Sequence, residues 1–224
     1  MNPTWTRLRR LAPILLGLGI GGCSGLLHSD APPVQLYTLR AGAVSSDGAS
    51  DPHGALDASL RVAQPLAGPG LGTSQIVLLQ PDHRMNVYAA SAWSADAPAL
   101  VESLATQTLR ASDAWSSVED AESPFPSDYL LQISIRRFDA DYSAGTDVPP
   151  TIHVTLDCTL GTEDGREILA SFSAEGSAVA AANKLSEVVA AFQQASDQAL
   201  GSMSGQAFAA AQAARSHSSG TRGR

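Results

Sequence analysis

The chain has 224 residues, with 14 Lys and Arg against 22 Asp and Glu, a net charge of −8 and 44% hydrophobic residues. Such an acidic balance argues against nucleic acid and anionic lipid headgroups as non-specific partners. The length suits one domain of about 150 residues with flexible ends, large enough to bury a core without staples.

The first residues form an export signal. Arg7, Arg9 and Arg10 are a positive leader, and Leu11 to Ile20 is an apolar run interrupted only by Pro13 and two glycines. That run is too short to span a bilayer, and no other segment approaches 18 apolar residues. Ile20-Gly21-Gly22-Cys23 closes it. This resembles a lipobox, in which the sulfur of Cys23 takes diacylglycerol by a thioether and the chain is cut before it. Two or more acyl chains give stable anchoring where one gives only marginal binding. The alternatives are an ordinary signal peptide with an incidental cysteine, or an uncleaved signal anchor. Cleavage after residue 22 removes three arginines and no acid, so the mature chain carries 11 basic residues against 22 acids, a net −11. If Cys23 carries lipid, Cys158 has no intrachain partner. It lies in the alternating run Ile152, Val154, Leu156, Cys158, Leu160, which puts it inward as a small hydrophobe.

Residues 23–33 read as a lipidated tether, and a folded domain is expected over 34–203. Strands are predicted at Val34–Leu39, Leu60–Ala63, Gln75–Leu79 and Arg84–Tyr88. Arg40 to Asp57 and the Gly/Pro-rich Pro65 to Ser74 are predicted loops, as is the stretch from Tyr88 through Trp93. A helix should start at Asp96 as N-cap with Pro98 in its first turn, bury Leu100, Val101, Leu104, Ala105 and Thr108, and end near Ser112. Trp115 to Glu119 reads as a short strand. Tyr129, Leu131, Ile133 and Ile135 mark a long strand whose phase shifts at Arg136-Arg137, predicting a bulge. Ile152 to Leu160 is a second long strand, with His153, Thr155, Asp157 and Thr159 on its outward side. Thr162-Glu163-Asp164-Gly165 is a hairpin turn, and Glu167 to Ala174 the returning strand. A final helix from about Ala182 buries Leu185, Val188, Val189, Phe192, Ala195, Ala199 and Leu200. Residues 204–224 read as a low-complexity tail, disordered from Ser216. Strands, helix, strands, helix without βαβ alternation predicts a single α+β domain: one mixed β-sheet with two long amphipathic helices packed on one face.

No catalytic arrangement emerges. G-x-S-x-G, the P-loop, G-x-G-x-x-G and H-E-x-x-H are absent from the sequence. His28, His53, His83, His153 and His217 are dispersed, so no metal site and no cofactor site is expected. Glu119, Asp120 and Glu122 read as a solvated loop, and Asp139 and Asp141 as solubilising residues at a strand end. Arg136 and Arg137 fit ion pairs at a strand edge better than a headgroup contact. No residue set supplies a nucleophile, a base and an orienter. A lipid-handling or partner surface would need exposed apolar residues. Tyr88, Trp93 and Trp115 are candidates, with Leu26, Leu27 and Met85, although Trp93 and Trp115 fit a core better.

The order of these pieces resembles the ABC-type transport auxiliary lipoprotein family, the PqiC-like lipoproteins. The lipobox cysteine is followed by Tyr37-Thr38-Leu39. Leu60-Arg61-Val62 leads through a Pro/Gly loop to Gln75-Ile76-Val77. Arg84-Met85-Asn86-Val87-Tyr88 and Trp93 precede a long helix. Tyr129 to Phe138 is the long strand, and Asp164-Gly165-Arg166 with Phe172 the hairpin. The resemblance covers Cys23 to about Leu200. It departs in a long Arg40–Asp57 loop and in a proline displaced to Pro69.

The resemblance implies a non-catalytic accessory to an ABC permease, its ATPase and a membrane-anchored MCE-domain protein, moving lipids or other hydrophobic molecules between two membranes. It implies an anchor in the inner leaflet of the outer membrane with the domain in the periplasm; Ser24, not Asp, follows the cysteine. Homo-oligomers are compatible with it. A structural or assembly scaffold of the envelope is the alternative.

Overall fold

The computed structural model describes residues 33–42, 55–164 and 167–221, with the side chains of 218–221 excepted. The predicted signal peptide, Cys23, Leu26, Leu27, His28, His53, Gly165 and the last three residues lie outside the described residues.

The sheet is organised by its longest strand. In β7 (Tyr129–Asp141), Leu131, Ile133 and Ile135 are wholly buried while Gln132 and Arg136 face solvent. Strict period-2 alternation with one buried face specifies register strongly. The expected bulge is present: Ile135 pairs with Leu156 but Arg137 with Thr155, so Phe138 and Ala140 return to the buried side. Strand β8 (Thr151–Thr162) runs antiparallel along the whole of β7, and β9 (Ile168–Val179) runs antiparallel to β8.

The other edge of β7 is shared by three parallel partners in succession. Strand β2 (Leu56–Val62) meets residues 129–131, β3 (Leu66–Ala67) meets 134–135 and β4 (Gln75–Leu79) meets 140–141. Beyond β2 lies β6 (Trp115–Glu119), parallel to it. Beyond β4 comes β5 (Met85–Trp93), antiparallel, and then β1 (Gln35–Tyr37), parallel to β5. The nine strands form one mixed sheet.

Two helices cover one face. Helix α1 (Ala97–Ala111) begins as the sequence predicts: the Asp96 carboxylate accepts the Ala99 N–H at 2.9 Å, and Ser112 ends it. Helix α2 (Leu185–Thr221) packs across β8 and β9 and touches α1. Its approach to β9 depends on Gly176, where an added Cβ would stand 2.0 Å from the Ala195 carbonyl oxygen. Both helices and the inner face of the sheet share one apolar core.

The structure differs from the sequence-based expectations most in three places. The segment to Trp93 is strand, not loop; a left-handed Ala90 (φ 50°) interrupts it and hides the alternation. Leu66 and Ala67 pair with β7 inside the expected Pro65–Ser74 loop. Most of all, the final helix does not stop near 203. Helix α2 continues to Thr221, past the point where disorder was expected, because Met203, Ala207 and Ala211 prolong the buried stripe in an alanine-rich segment of high helix propensity.

Candidate functional site

Two of the four described residues singled out as a lipid or partner surface lie inside the protein. Trp93, at the end of β5, is buried between Phe138 and Phe192, with ring centroids 5.7 Å and 5.1 Å away. Trp115, at the start of β6, is buried against Tyr129 at 5.9 Å and Phe208 at 6.5 Å, and its indole N–H finds no acceptor. Both tryptophans are core, which corrects the surface reading. A large aromatic contributes most where its whole area leaves water, and here two helices arrive to cover it.

Tyr88 is half-buried and belongs to a polar chain. Tyr142 donates its hydroxyl hydrogen to Asn183 Oδ1 at 2.6 Å, so Tyr88 is the donor in the 2.9 Å contact between the two phenols. Asn183 Nδ2 in turn donates to the Thr146 carbonyl. Burial, then the hydrogen bond to Tyr142, raises the Tyr88 pKa above the ordinary phenol value. Tyr88 therefore ties β5 to the segment ahead of α2. Of the remaining candidates, Met85 alone is described and openly exposed.

The face of the sheet opposite the helices is polar at its centre. Arg137 donates from Nε and Nη2 to both oxygens of Asp139, at 3.1 Å and 2.8 Å, and from Nη2 to Asp141 at 2.9 Å. The hydrogen bonds to Asp139 outweigh burial and raise the Arg137 pKa. Burial pushes the Asp141 carboxyl up, but the Ser143 N–H and Arg137 together hold it below the usual carboxylate value. His153 Nε2 lies 4.0 Å from Asp141. Arg136 spans Asp157 at 3.5 Å and Glu175 at 3.3 Å. Both arginines thus form ion pairs on this face, as the sequence suggests.

Beside them lies a shallow groove of about 460 Å³ lined by Gln132, Ser134, Asp157, Thr159, Ser171 and Phe172. It brings hydroxyls together with one carboxylate, that of Asp157, which is paired with Arg136. Cys158 lies beneath it as the sequence predicts, a buried free thiol that burial, then the Asp157 charge, pushes up to about 12. A thiol so hard to ionise is a poor nucleophile. No group of three or more His, Cys, Asp or Glu capable of holding a metal occurs among the described residues.

One organising residue escapes sequence reasoning. Arg61, on β2, bonds Glu163 Oε1 through Nε at 3.0 Å and donates to the carbonyls of Ser123, at 2.6 Å, and Phe125. It clamps the Pro-rich segment after β6 to the sheet, and Ser127 adds a hydrogen bond to the same glutamate. Nothing local marks it, because its partners stand 62 to 102 residues away.

The fold is shared with solved structures. A crystal structure of a Xanthomonas campestris protein of family DUF330 superposes with a TM-score of 0.69 at 21% identity, over 82% of this chain and 99% of that one. An uncharacterised protein superposes with a TM-score of 0.60 at 13% identity, over 78% and 99%. No curated protein matches the chain. The family model described as the ABC-type transport auxiliary lipoprotein component matches residues 37–204, from β1 to the middle of α2, and the chain belongs to that family.

Proposed function

We propose that this chain is a non-catalytic lipoprotein accessory of an ABC/MCE-type system, moving lipids or other hydrophobic molecules across the periplasm between inner and outer membranes. Acyl chains on Cys23 hold it in the inner leaflet of the outer membrane, and residues 34–221 form the periplasmic part. There it binds an MCE-domain protein delivered by the permease and ATPase, and positions the exit of the cargo near the lipid. Family membership, with its accessory role in transport, carries this reading. The Ile20-Gly21-Gly22-Cys23 sequence supports the anchor.

The test is crosslinking of a tagged chain in intact cells, followed by mass spectrometry of what is captured. Recovery of an MCE-domain protein is the expected result. Recovery of outer-membrane or cell-wall assembly proteins alone would replace the transport role with a scaffold role. The anchor is tested separately. Globomycin should leave an uncut precursor of altered mobility, and Cys23→Ser should abolish lipidation. Unchanged mobility under globomycin would end the anchor argument.

A further inference from the structure

The exposed apolar residues of the domain are unevenly placed. Nine large apolar side chains are exposed among the described residues, and four of them sit on or beside two neighbouring strands: Val34 (60% exposed), Leu36 (70%), Met85 (50%) and Val87 (37%). The register puts all four on one side. Leu36 pairs with Ala92 and Ala92 with Gln75, while Val77, two residues along β4 from Gln75, pairs with Val87, and Leu79 with Met85. Val34 shares the side of Leu36 by strand alternation. Tyr37 pairs with Trp93, whose ring is against Phe192 of α2, so Leu36 and its companions occupy the side away from the helices. Gly70 lies against the Met85 sulfur at φ +79°, a backbone conformation that residues with a side chain rarely adopt.

This margin also holds Val34, where the domain begins. Val34 is the first residue after the eleven of 23–33. Fully extended, they reach roughly 36 to 40 Å. Strand β1 runs parallel to β5, so the N-terminal end of β1 lies toward the end of β5 that carries Val87 and Met85. The charge is suited as well. Residues 33–42 carry Arg40 and no acid, and residues 80–93 carry Arg84 and Asp82, in a chain where acids outnumber bases 22 to 14. Arg84 is itself exposed and paired with Asp82 at 2.6 Å. An acidic protein that lies against phospholipid must present a part of its surface that headgroups do not repel, and side chains that gain by leaving water.

We infer that the β1–β5 margin, with Val34, Leu36, Met85 and Val87, is the face by which the domain rests on the phospholipid surface that holds its anchor. This deepens the anchoring proposed at Cys23 and rests on it. The domain then has a fixed attitude to the bilayer, with β1 and β5 down.

The test uses the full lipidated chain in vesicles of phosphatidylethanolamine and phosphatidylglycerol containing a radiolabelled phospholipid. Benzoylphenylalanine is placed singly at Leu36, at Val87, and at exposed Gln194 on α2 as reference. These are surface positions, so folding is not at stake. Illumination should give several-fold more lipid adduct from positions 36 and 87 than from 194. Equal yields would overturn the inference. So would adducts in intact cells that join positions 36 and 87 to a polypeptide in place of lipid, which would give the margin to a protein partner. The mass of the Cys23 peptide separates the two possible failures. An acylated Cys23 with equal adducts refutes the resting face alone, whereas an unmodified Cys23 removes the anchor on which it stands.

Discussion

The two faces of the sheet are built on opposite terms. On the helix-covered face, Leu131, Ile133, Ile135, Ile152, Leu156 and Leu160 are wholly buried in the core shared with the helices. On the other face the same strands present Gln132, Ser134, Arg137, Asp157 and Thr159, while exposed apolar residues stand at the β1–β5 margin and at Leu66 and Val179. The covered face gains by removing area from water, at about 25 cal/mol per Å². The open face holds ion pairs, and the exposed ones of Arg136 contribute little to stability in water. The difference teaches that folding resides on one side, which leaves the other free to be shaped by what the protein meets.

The sharpest way to break this contrast is to put a charge on the covered face. Leu131→Asp places an unpaired carboxylate opposite Leu160, at a cost of several kcal/mol, and should abolish the cooperative thermal transition followed by circular dichroism. A soluble variant with unchanged Tm would show that the faces have been assigned wrongly. Next comes the contact between the layers. Gly176→Val drives a side chain into the backbone of α2 at Ala195, so the helix must lift from β9. Overpacking of this kind costs about 1–3 kcal/mol, and the midpoint of urea unfolding should fall accordingly. A midpoint equal to that of the parent would mean that α2 does not rest on Gly176.

What the sequence makes legible follows the same division. The long strands β7 and β8, the bulge at Arg136-Arg137 and the N-cap of α1 each have a local signature: a period of two, a phase shift, an Asp ahead of a Pro. The end of β5 has none, because Ala89-Ala90-Ser91-Ala92 is weak in strand formers and Ala90 turns left-handed. The second half of α2 was obscured by exposed Gly201 and Gly205, although Ala207 and Ala211 continue the buried stripe. Trp93 and Trp115 were ambiguous in principle, since hydrophobicity alone does not separate a core from an apolar surface. Arg61 was invisible because its partners are assembled by the fold.

A smaller effect probes the boundary between the faces. Cys158 points into the covered side, and its thiol is raised from 9.0 to about 12. The folded state therefore holds its proton while the unfolded chain releases it. This contribution is fully present below pH 9 and is lost as pH rises from there toward 12, by about 1.4 kcal/mol per pH unit. Cys158→Ala should flatten the decline above pH 9 in a series of urea melts, whatever it does to stability at neutral pH. An unchanged slope would mean that the thiolate is accommodated in the folded state.

The smallest expected effect on stability is the one that most sharpens the comparison. Leu36→Ser and Val87→Ser alter side chains that make little use of the core, so each should change unfolding free energy by less than about 0.5 kcal/mol. A large apolar residue retained where folding does not need it calls for another explanation, and contact with phospholipid provides one. The pair of serine substitutions should therefore leave the urea midpoint in place while reducing phospholipid adducts from a photoreactive residue at the neighbouring Met85. A substantial loss of stability would instead make the margin an extension of the core, and the two faces would no longer differ in kind.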